Sequence, residues 1–219
     1  ILHRASMKYY YDYLIKNGFI VKYLEYNEKL PDKEYIYFDP IDKIKIKGEM
    51  IETPNFILNK EIYEKYRLKT DKFIFNNFYM WSKKELDLYP TLKSKDKLNR
   101  KKLGKDIIIP NIPTNKTDKK YITNAIKYVE KHFPNNYGNT DNFIYPISHK
   151  TANKWLLDFF KNKLNDFGPY QDYVKQGEYY MFHSLLSSSI NIGLLNPTEI
   201  INKLKKYKSK VIINSVSYT

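Results

Sequence analysis

Apolar positions in the first third of the chain switch between helical and extended spacing. Residues 5–17 carry apolar side chains at helical intervals and stop at Gly18, which predicts a helix ended by a glycine. The apolar face of this helix consists of Met7, Tyr11, Leu14 and Ile15. Three short strands are predicted next: residues 19–24, residues 35–38, and Ile44 with Ile46 in alternation with Lys. A helix followed by strands predicts an incomplete open parallel α/β sheet.

From about residue 59 the apolar spacing becomes helical. Asn59 is predicted to cap one short helix, and Asp71 is predicted to cap another that carries Trp81 on its apolar face. Residues 90–118 contain three prolines and many lysines with little periodicity, which predicts a linker.

Three stronger helices are predicted after the linker. The first covers residues 118–131, and the second covers residues 148–164, capped by Ser148 and closed at Gly168. The third begins at Asn196, where Asn can cap the helix and the following Pro suits the first helical position. We therefore predict an α/β part followed by an all-α part. The predicted boundaries are 1–89 for a partial α/β domain, 90–118 for the linker and 119–219 for the start of a helical domain.

The charge balance raises the question of a polyanionic partner. The chain has 38 Lys and Arg residues against 24 Asp and Glu residues, a net charge of +14. Clustered cations gain affinity for nucleic acid by releasing counterions from phosphate. Three of these cations are Arg and the other 35 are Lys, and the heavy use of Lys, Asn, Ile and Tyr is also typical of an AT-rich coding sequence. Selection for a polyanion and compositional drift are both open explanations.

Composition also excludes several classes of protein. The chain has no Cys, which excludes disulfides, cysteine nucleophiles and thiolate metal sites within it. No apolar run approaches the roughly 18 residues of a membrane-spanning helix, and no secretory signal is visible. We therefore expect a soluble intracellular protein that does not enter a membrane.

The most informative segment is rich in serine and lies near the C-terminal end of the sequence. On one helix, Ser184, Ser187, Ser188 and Asn191 would form a single polar seam. Short hydroxyl and amide side chains suit phosphate oxygens because they donate hydrogen bonds without filling a pocket. A solvated helix face is the alternative explanation. His183, at the head of the seam, is either a capping donor or an ordinary core histidine.

Other constellations carry less chemistry. Asp39 and Asp42 could act as paired carboxylates, although a turn before a strand explains them better. His3, His132 and His149 lack the spacing of metal ligands. The clusters Tyr9-Tyr-Tyr11 and Tyr179-Tyr180 favour packing over base stacking, and no glycine-rich phosphate loop is present.

Four segments share their order and spacing with one known family. They are Leu2-His-Arg-Ala-Ser-Met-Lys8 with Tyr11 and Leu14; Thr53-Pro-Asn-Phe56; Asn99-Arg-Lys101; and Phe167-Gly-Pro-Tyr-Gln-Asp172, which continues into the serine-rich segment and Gly193-Leu-Leu-Asn-Pro197. On these segments the chain resembles the deoxyribodipyrimidine photolyase-related proteins, the bacterial-type branch of the photolyase/cryptochrome superfamily.

The resemblance implies an α/β domain that holds an antenna chromophore, followed by a helical domain that binds FAD. In the family, light drives electron transfer from the reduced flavin to a DNA lesion, usually a (6-4) photoproduct in this branch. The residues implied to hold the flavin phosphates are Tyr170, His183, Ser184, Leu185, Leu186, Ser187 and Asn191. The flavin would carry the chemistry, so the resemblance implies no catalytic side chain and no metal ligand in this chain.

The sequence also departs from the family pattern. The first strand with its glycine-rich turn, the later flavin pocket, the lesion-site histidines and the four cysteines of an iron–sulfur cluster are not found in these 219 residues. We therefore expect a truncated photolyase-like chain that is inactive as a lyase alone and needs a second chain. The alternative is an inactive remnant or a non-catalytic basic module that binds DNA.

Two further expectations follow from the departures. DNA is the expected partner, an ultraviolet-damaged duplex in the family and a nonspecific duplex for this chain. Apolar side chains of the helical part are expected to lack packing partners; these are Trp155, Phe159, Leu185, Leu186 and Leu204.

Overall fold

The structure is a computed structural model that describes residues 1–40, 42, 44–89, 102–114 and 118–208. Within these residues the backbone forms eight helices and two strands. The helices are α1 (Leu2–Lys16), α2 (Lys60–Arg67), α3 (Phe75–Glu85), α4 (Lys119–His132), α5 (His149–Asn162), α6 (Leu164–Tyr170), α7 (Ser187–Asn191) and α8 (Pro197–Lys208); the strands are β1 (Tyr35–Phe38) and β2 (Gly48–Ile51). A small sheet followed by helices agrees with the coarse layout predicted from the sequence. None of these helices combines the length and the apolar character needed to cross a lipid bilayer.

Helix α1 ends just before Gly18, as predicted, but the face that it buries is not the predicted apolar face. Gly18 has φ +86°, and the backbone N–H of Phe19 returns to the carbonyl of Leu14 at 3.1 Å. The predicted apolar face is largely outside the core, since Met7 is 54% exposed. Instead α1 packs on α4 through Ala5, and the small side chain there allows close approach of the two helices.

The two strands form a parallel sheet, and only β1 lies where a strand was predicted. Tyr35 pairs with Gly48, and Phe38 pairs with Ile51. The strand predicted at Ile44 and Ile46 is wrong, because the second strand begins at Gly48, after this alternation. The reason is geometric: the chain must first turn back before it can run parallel to β1, and the apolar alternation falls within that connection.

The strand predicted for residues 19–24 is also wrong. This segment is irregular, and Ile20 is fully exposed. Side-chain contacts hold the segment against α1, where Tyr23 lies edge-on to Tyr11 with ring centroids 6.0 Å apart. A short apolar run satisfies strand propensity, but it becomes a strand only where a neighbouring strand supplies hydrogen bonds.

Helices α2 and α3 pack through aromatic side chains. Asn59 caps α2 as predicted, because its side-chain Oδ1 accepts from the backbone N–H of Ile62 at 2.8 Å. The cap predicted at Asp71 is wrong: α3 begins at Phe75, and Ile74 precedes it without a side-chain cap. Tyr66 is buried between the helices and lies 4.9 Å from Phe78, measured between ring centroids.

Helix α5 begins at the predicted cap and ends earlier than predicted. Ser148 accepts from the backbone N–H of Thr151, whose hydroxyl in turn accepts from the backbone N–H of Ser148. The predicted closure at Gly168 is wrong, because the backbone leaves helical conformation at Lys163 and a new helix, α6, contains Gly168. Once the helix bends at Lys163, Gly168 packs inside the fold and is itself buried.

The main core lies among α5, α6, α7 and α8. Leu156 and Leu195 are almost completely buried there. The expectation that the helical part lacks packing partners is wrong: Trp155, Phe159, Leu186 and Leu204 are all less than a tenth exposed, and Leu185 packs at the edge of the same core. Burying a large apolar side chain contributes roughly 1.5–3 kcal/mol, so these helices stabilise one another.

Part of the predicted linker packs against the helices. Residues 102–114 form neither helix nor strand, while Ile107 and Ile109 contact the buried cluster of Tyr170 and Phe182. The rest of the predicted linker, residues 90–101 and 115–117, lies outside the described residues, as does the segment Asn99-Arg-Lys101. The boundaries at 89, 90, 118 and 119 stay predictions.

Candidate functional site

The serine-rich segment is not the continuous helix that the sequence suggested. Helix α7 covers only Ser187–Asn191, so Ser184 lies in the irregular backbone before it. Ser187 and Asn191, at the two ends of α7, are exposed, whereas Ser188 is half-buried. The predicted single polar seam is therefore wrong, because a helix of five residues cannot carry side chains spaced over seven.

Two residues implied to hold a cofactor belong to packed clusters. Tyr170 closes α6 and is 9% exposed, with its ring 5.4 Å from that of Phe182. Leu186 is 5% exposed and lies in the main core. Their side chains fix the two ends of the segment between α6 and α7, which is a supporting role.

The backbone before α7 is strained at two residues. Met181 has φ +35° and Leu185 has φ +58°, a region that costs L-residues other than Gly, Asn and Asp about 1–3 kcal/mol. His183 lies between them and is half-buried, and its N–H donates to the carbonyl of Tyr180 at 3.0 Å. The hydroxyl of Ser184 lies 3.5 Å from the N–H of Leu186. Such strain persists only where the surrounding contacts determine the conformation.

Two hydroxyl groups of α7 are buried without a partner in the structure. They are the Oγ atoms of Ser188 and Ser189, and Ser189 is 1% exposed. Leaving a buried hydroxyl unpaired costs about 1–3 kcal/mol. A phosphate oxygen is a strong acceptor that these donors suit, so the donor set of this segment fits a phosphate group. Ser189 was missing from the residues implied by the sequence.

Lys163 is the second residue that the sequence reasoning missed. It stands at the junction of α5 and α6, is 3% exposed, and points its Nζ to the carbonyl of His183 at 3.4 Å. Burial lowers the pKa of the Lys163 ammonium group, and the charge of Asp158 acts in the opposite direction. The available signal was its helical spacing with Phe159, which placed a cation on a buried face.

Two cavities in the described part of the chain lie away from the serine-rich segment. One, of about 700 Å³, is lined by residues from the end of α4 and the following loop, including Val129, Phe133 and Tyr137. The other, of about 300 Å³, lies between α1 and α4 and is lined in part by Arg4, Lys8 and Tyr121. The serine-rich segment thus offers donors for an anion without contributing to either cavity.

The other residues that the sequence analysis considered make contacts that belong to the fold. The backbone N–H of Asp39 donates to the carbonyl of Ile51 at 2.8 Å, so this residue ends the parallel pair. Tyr9 contacts Tyr121, with 5.3 Å between ring centroids, which confirms packing for that member of the tyrosine cluster. Among the described side chains, no group of three or more His, Asp or Glu residues is placed to hold a metal ion.

Comparison with known proteins points to one family. The model of the deoxyribodipyrimidine photo-lyase-related proteins matches residues 39–145. A (6-4) photolyase from Agrobacterium fabrum is 34% identical over 105 residues, which are 48% of this chain and 20% of that relative. The chain thus spans about a fifth of the length of the curated relative it matches.

These two matches support a photolyase-like chain. Residues 39–145, just under half of the chain, match the deoxyribodipyrimidine photolyase-related family, in agreement with the resemblance stated from the sequence. The matched segment contains Thr53-Pro-Asn-Phe56 and ends before α5. The serine-rich segment and Lys163 lie outside it, so the cofactor residues are a separate prediction.

Proposed function

We propose that this chain contributes to photolyase-like, FAD-dependent repair of ultraviolet-damaged DNA. The family match and the photolyase relative support the class of reaction. The observation that supports FAD as the cofactor is the pair of buried, unpartnered hydroxyls of Ser188 and Ser189, in a segment rich in small polar residues. Of the two, the hydroxyl of Ser188 belongs to a half-buried residue and can donate to a phosphate oxygen, and FAD carries two phosphates.

The proposed role of the segment is to bind the cofactor. Ser184, Ser187 and Ser188 would donate to the phosphate oxygens, while Tyr170 and Leu186 would keep the backbone in place through their packed side chains. Once bound, the flavin supplies the light-driven electron transfer. The side chains of this chain hold and orient it.

A direct binding titration tests this cofactor assignment. Ser188→Ala should weaken FAD binding about 10- to 150-fold, because one hydrogen bond to a charged phosphate is worth about 1.5–3 kcal/mol. Ser82→Ala is the matched control, since the Ser82 hydroxyl in α3 is also buried without a partner. Flavin fluorescence, measured up to high FAD concentration, gives both affinities. Equal affinities of the two variants, or no binding by the wild type, would contradict the cofactor assignment.

The proposed macromolecular partner is duplex DNA. A net charge of +14, mostly from Lys, supports contacts to phosphate, which touch damaged and intact duplex alike. We expect the affinities for the two duplexes to agree within about threefold and to fall together as salt rises. A competition titration at two salt concentrations measures this. A tenfold preference for damaged DNA would contradict the proposal that binding is nonspecific.

The net charge also favours a second candidate function, a basic module that binds DNA without a flavin. The same two titrations separate the candidates. Binding of DNA together with FAD supports the first, and salt-sensitive binding of DNA without any binding of FAD supports the second.

A further inference from the structure

Lys163 is a buried cation, and the free-energy cost of burying its ammonium group must be offset by the contacts that the group makes. Transfer of an ammonium group into an apolar interior is unfavourable unless it is paired or hydrogen-bonded. Lys163 is 3% exposed, and its neighbours in sequence, Asn162 and Leu164, end α5 and begin α6. Its Nζ makes a long contact of 3.4 Å with the carbonyl oxygen of His183. The ammonium group therefore connects the α5–α6 junction to the segment before α7.

That segment has little regular structure to hold it. Residues 183–186 are neither helix nor strand, and Met181 and Leu185 on either side of His183 have positive φ. Packing fixes mainly its two ends: Phe182 is 1% exposed, and Leu186 is 5% exposed with Leu185 beside it at the edge of the core. The carbonyl of His183 lies between these two anchors, next to Phe182, and its contact with Lys163 is a further point of attachment for the backbone.

We propose that Lys163 is the positioning residue of this segment: its ammonium group holds the carbonyl of His183 and so fixes the strained backbone that presents Ser184 and leads into α7. The cation thereby sets where the donors of Ser187 and Ser188 lie. The role in cofactor binding rests on the function proposed above. The attachment of the segment to Lys163 stands on the geometry alone.

The first measurement is hydrogen exchange of the whole chain without flavin. Lys163→Met removes the charge and keeps a side chain of similar length, so the hydrogen-bonded amides of His183 and Ile190 should exchange at least tenfold faster, while those of residues 150–160 in α5 keep their rates. Lys163→Arg, which retains a cation and donors, should restore rates to within about threefold of the wild type. Lys161→Met, an exposed lysine two residues earlier, is the matched control and should change neither region. If Lys163→Met fails to fold by circular dichroism, Lys163→Gln replaces it.

Unchanged exchange at the amides of His183 and Ile190 in the Met or Gln variant would overturn the proposal. Uniformly faster exchange along α5 as well would also overturn it, because it would make Lys163 a general contributor to stability.

The second measurement is FAD affinity of the same proteins. We expect Lys163→Met to bind FAD at least tenfold more weakly than Lys161→Met, and Lys163→Arg to recover most of the loss. If the wild type binds no FAD but the exchange result holds, the cofactor assignment fails and the positioning role remains. If Lys163→Met binds FAD as tightly as Lys161→Met, the role of Lys163 in cofactor binding is wrong and the cofactor assignment remains.

Discussion

The guanidinium group of Arg4 and the carboxylate of Glu25 meet at two points. Nη1 of Arg4 lies 2.6 Å from Oε2 of Glu25, and Nη2 lies 3.2 Å from Oε1. Lys8 adds a third donor to the same carboxylate at 3.1 Å. This group of charges ties the irregular segment after α1 back onto the helix, where sequence alone predicted a strand.

Replacing the carboxylate of Glu25 should weaken the attachment of this segment to α1, and the effect should depend on pH. Hydrogen bonds from Arg4 and then Lys8 lower the pKa of Glu25 to about 2. Because the folded pKa is depressed, the contribution to stability is present above the unfolded pKa of roughly 4.3 and is lost as the pH falls through about 2. Glu25→Gln should therefore lower the free energy of unfolding by about 0.5–1 kcal/mol at pH 7, a small value because the pair is partly exposed.

Urea denaturation at pH 7, 4 and 2.5 measures this difference. Glu34→Gln, at an exposed site before β1, is the control. The difference in free energy of unfolding between wild type and Glu25→Gln should become smaller as the pH falls through that range. A difference that stays constant across the three pH values would contradict the ion-pair explanation.

Tyr121 should titrate abnormally late. Its hydroxyl donates to Oδ2 of Asp12 at 2.7 Å, and this hydrogen bond, followed by burial, raises the pKa of Tyr121 to about 12. Since the folded pKa is raised, the stabilisation is complete below the unfolded pKa of about 10 and is lost as the pH rises through about 12. The difference in absorbance at the tyrosinate band between wild type and Tyr121→Phe gives the titration of this one residue. A midpoint near 10 in that difference would show that the contact to Asp12 does not persist in solution.

Ser148→Ala should destabilise the start of α5 more than an ordinary loss of a cap. The hydroxyls of Ser148 and Thr151 both donate to Oδ2 of the buried Asp118, at 3.1 Å and 3.0 Å. Removing Ser148 thus deletes a cap and one donor to a buried carboxylate, a loss of roughly 2–3 kcal/mol. Asn59→Ala, which removes only the cap of α2, should lose about 1 kcal/mol. Equal losses in chemical denaturation would mean that Asp118 gains nothing from Ser148.

Gly48→Ala should disrupt the parallel pair. Gly48 has φ +130°, and a Cβ atom there would collide with the carbonyl oxygen of Tyr35. Gly138 also has a positive φ, of +103°, but its Cβ would meet no atom within 4 Å. We expect Gly138→Ala to cost about 1–2 kcal/mol from strain alone, and Gly48→Ala to cost distinctly more because strain and collision add. Thermal unfolding of both variants compares them, and the opposite order would show that the strands do not pair through Gly48.

The sequence determined the features that depend on near neighbours. The glycine end of α1, the cap of α2 at Asn59 and the cap of α5 at Ser148 were all predicted, because each is made by residues no more than five apart. Strand β1 and helix α4 were also predicted from spacing. The family resemblance came from short ordered segments, and the match over residues 39–145 agrees with it.

Tertiary structure decided where distant partners were required. Residues 19–24 have the composition of a strand but meet α1 through side chains, and β2 begins where Gly48 allows the backbone to approach Tyr35. In the candidate site, the residues implied by the sequence range from buried, as Tyr170 and Leu186 are, to exposed, as Ser187 and Asn191 are. The role of Lys163 depends on its contact with His183, which is twenty residues away in the chain. Periodicity and capping are local properties of a sequence, whereas burial of a charge and pairing of strands are set by which distant surfaces meet.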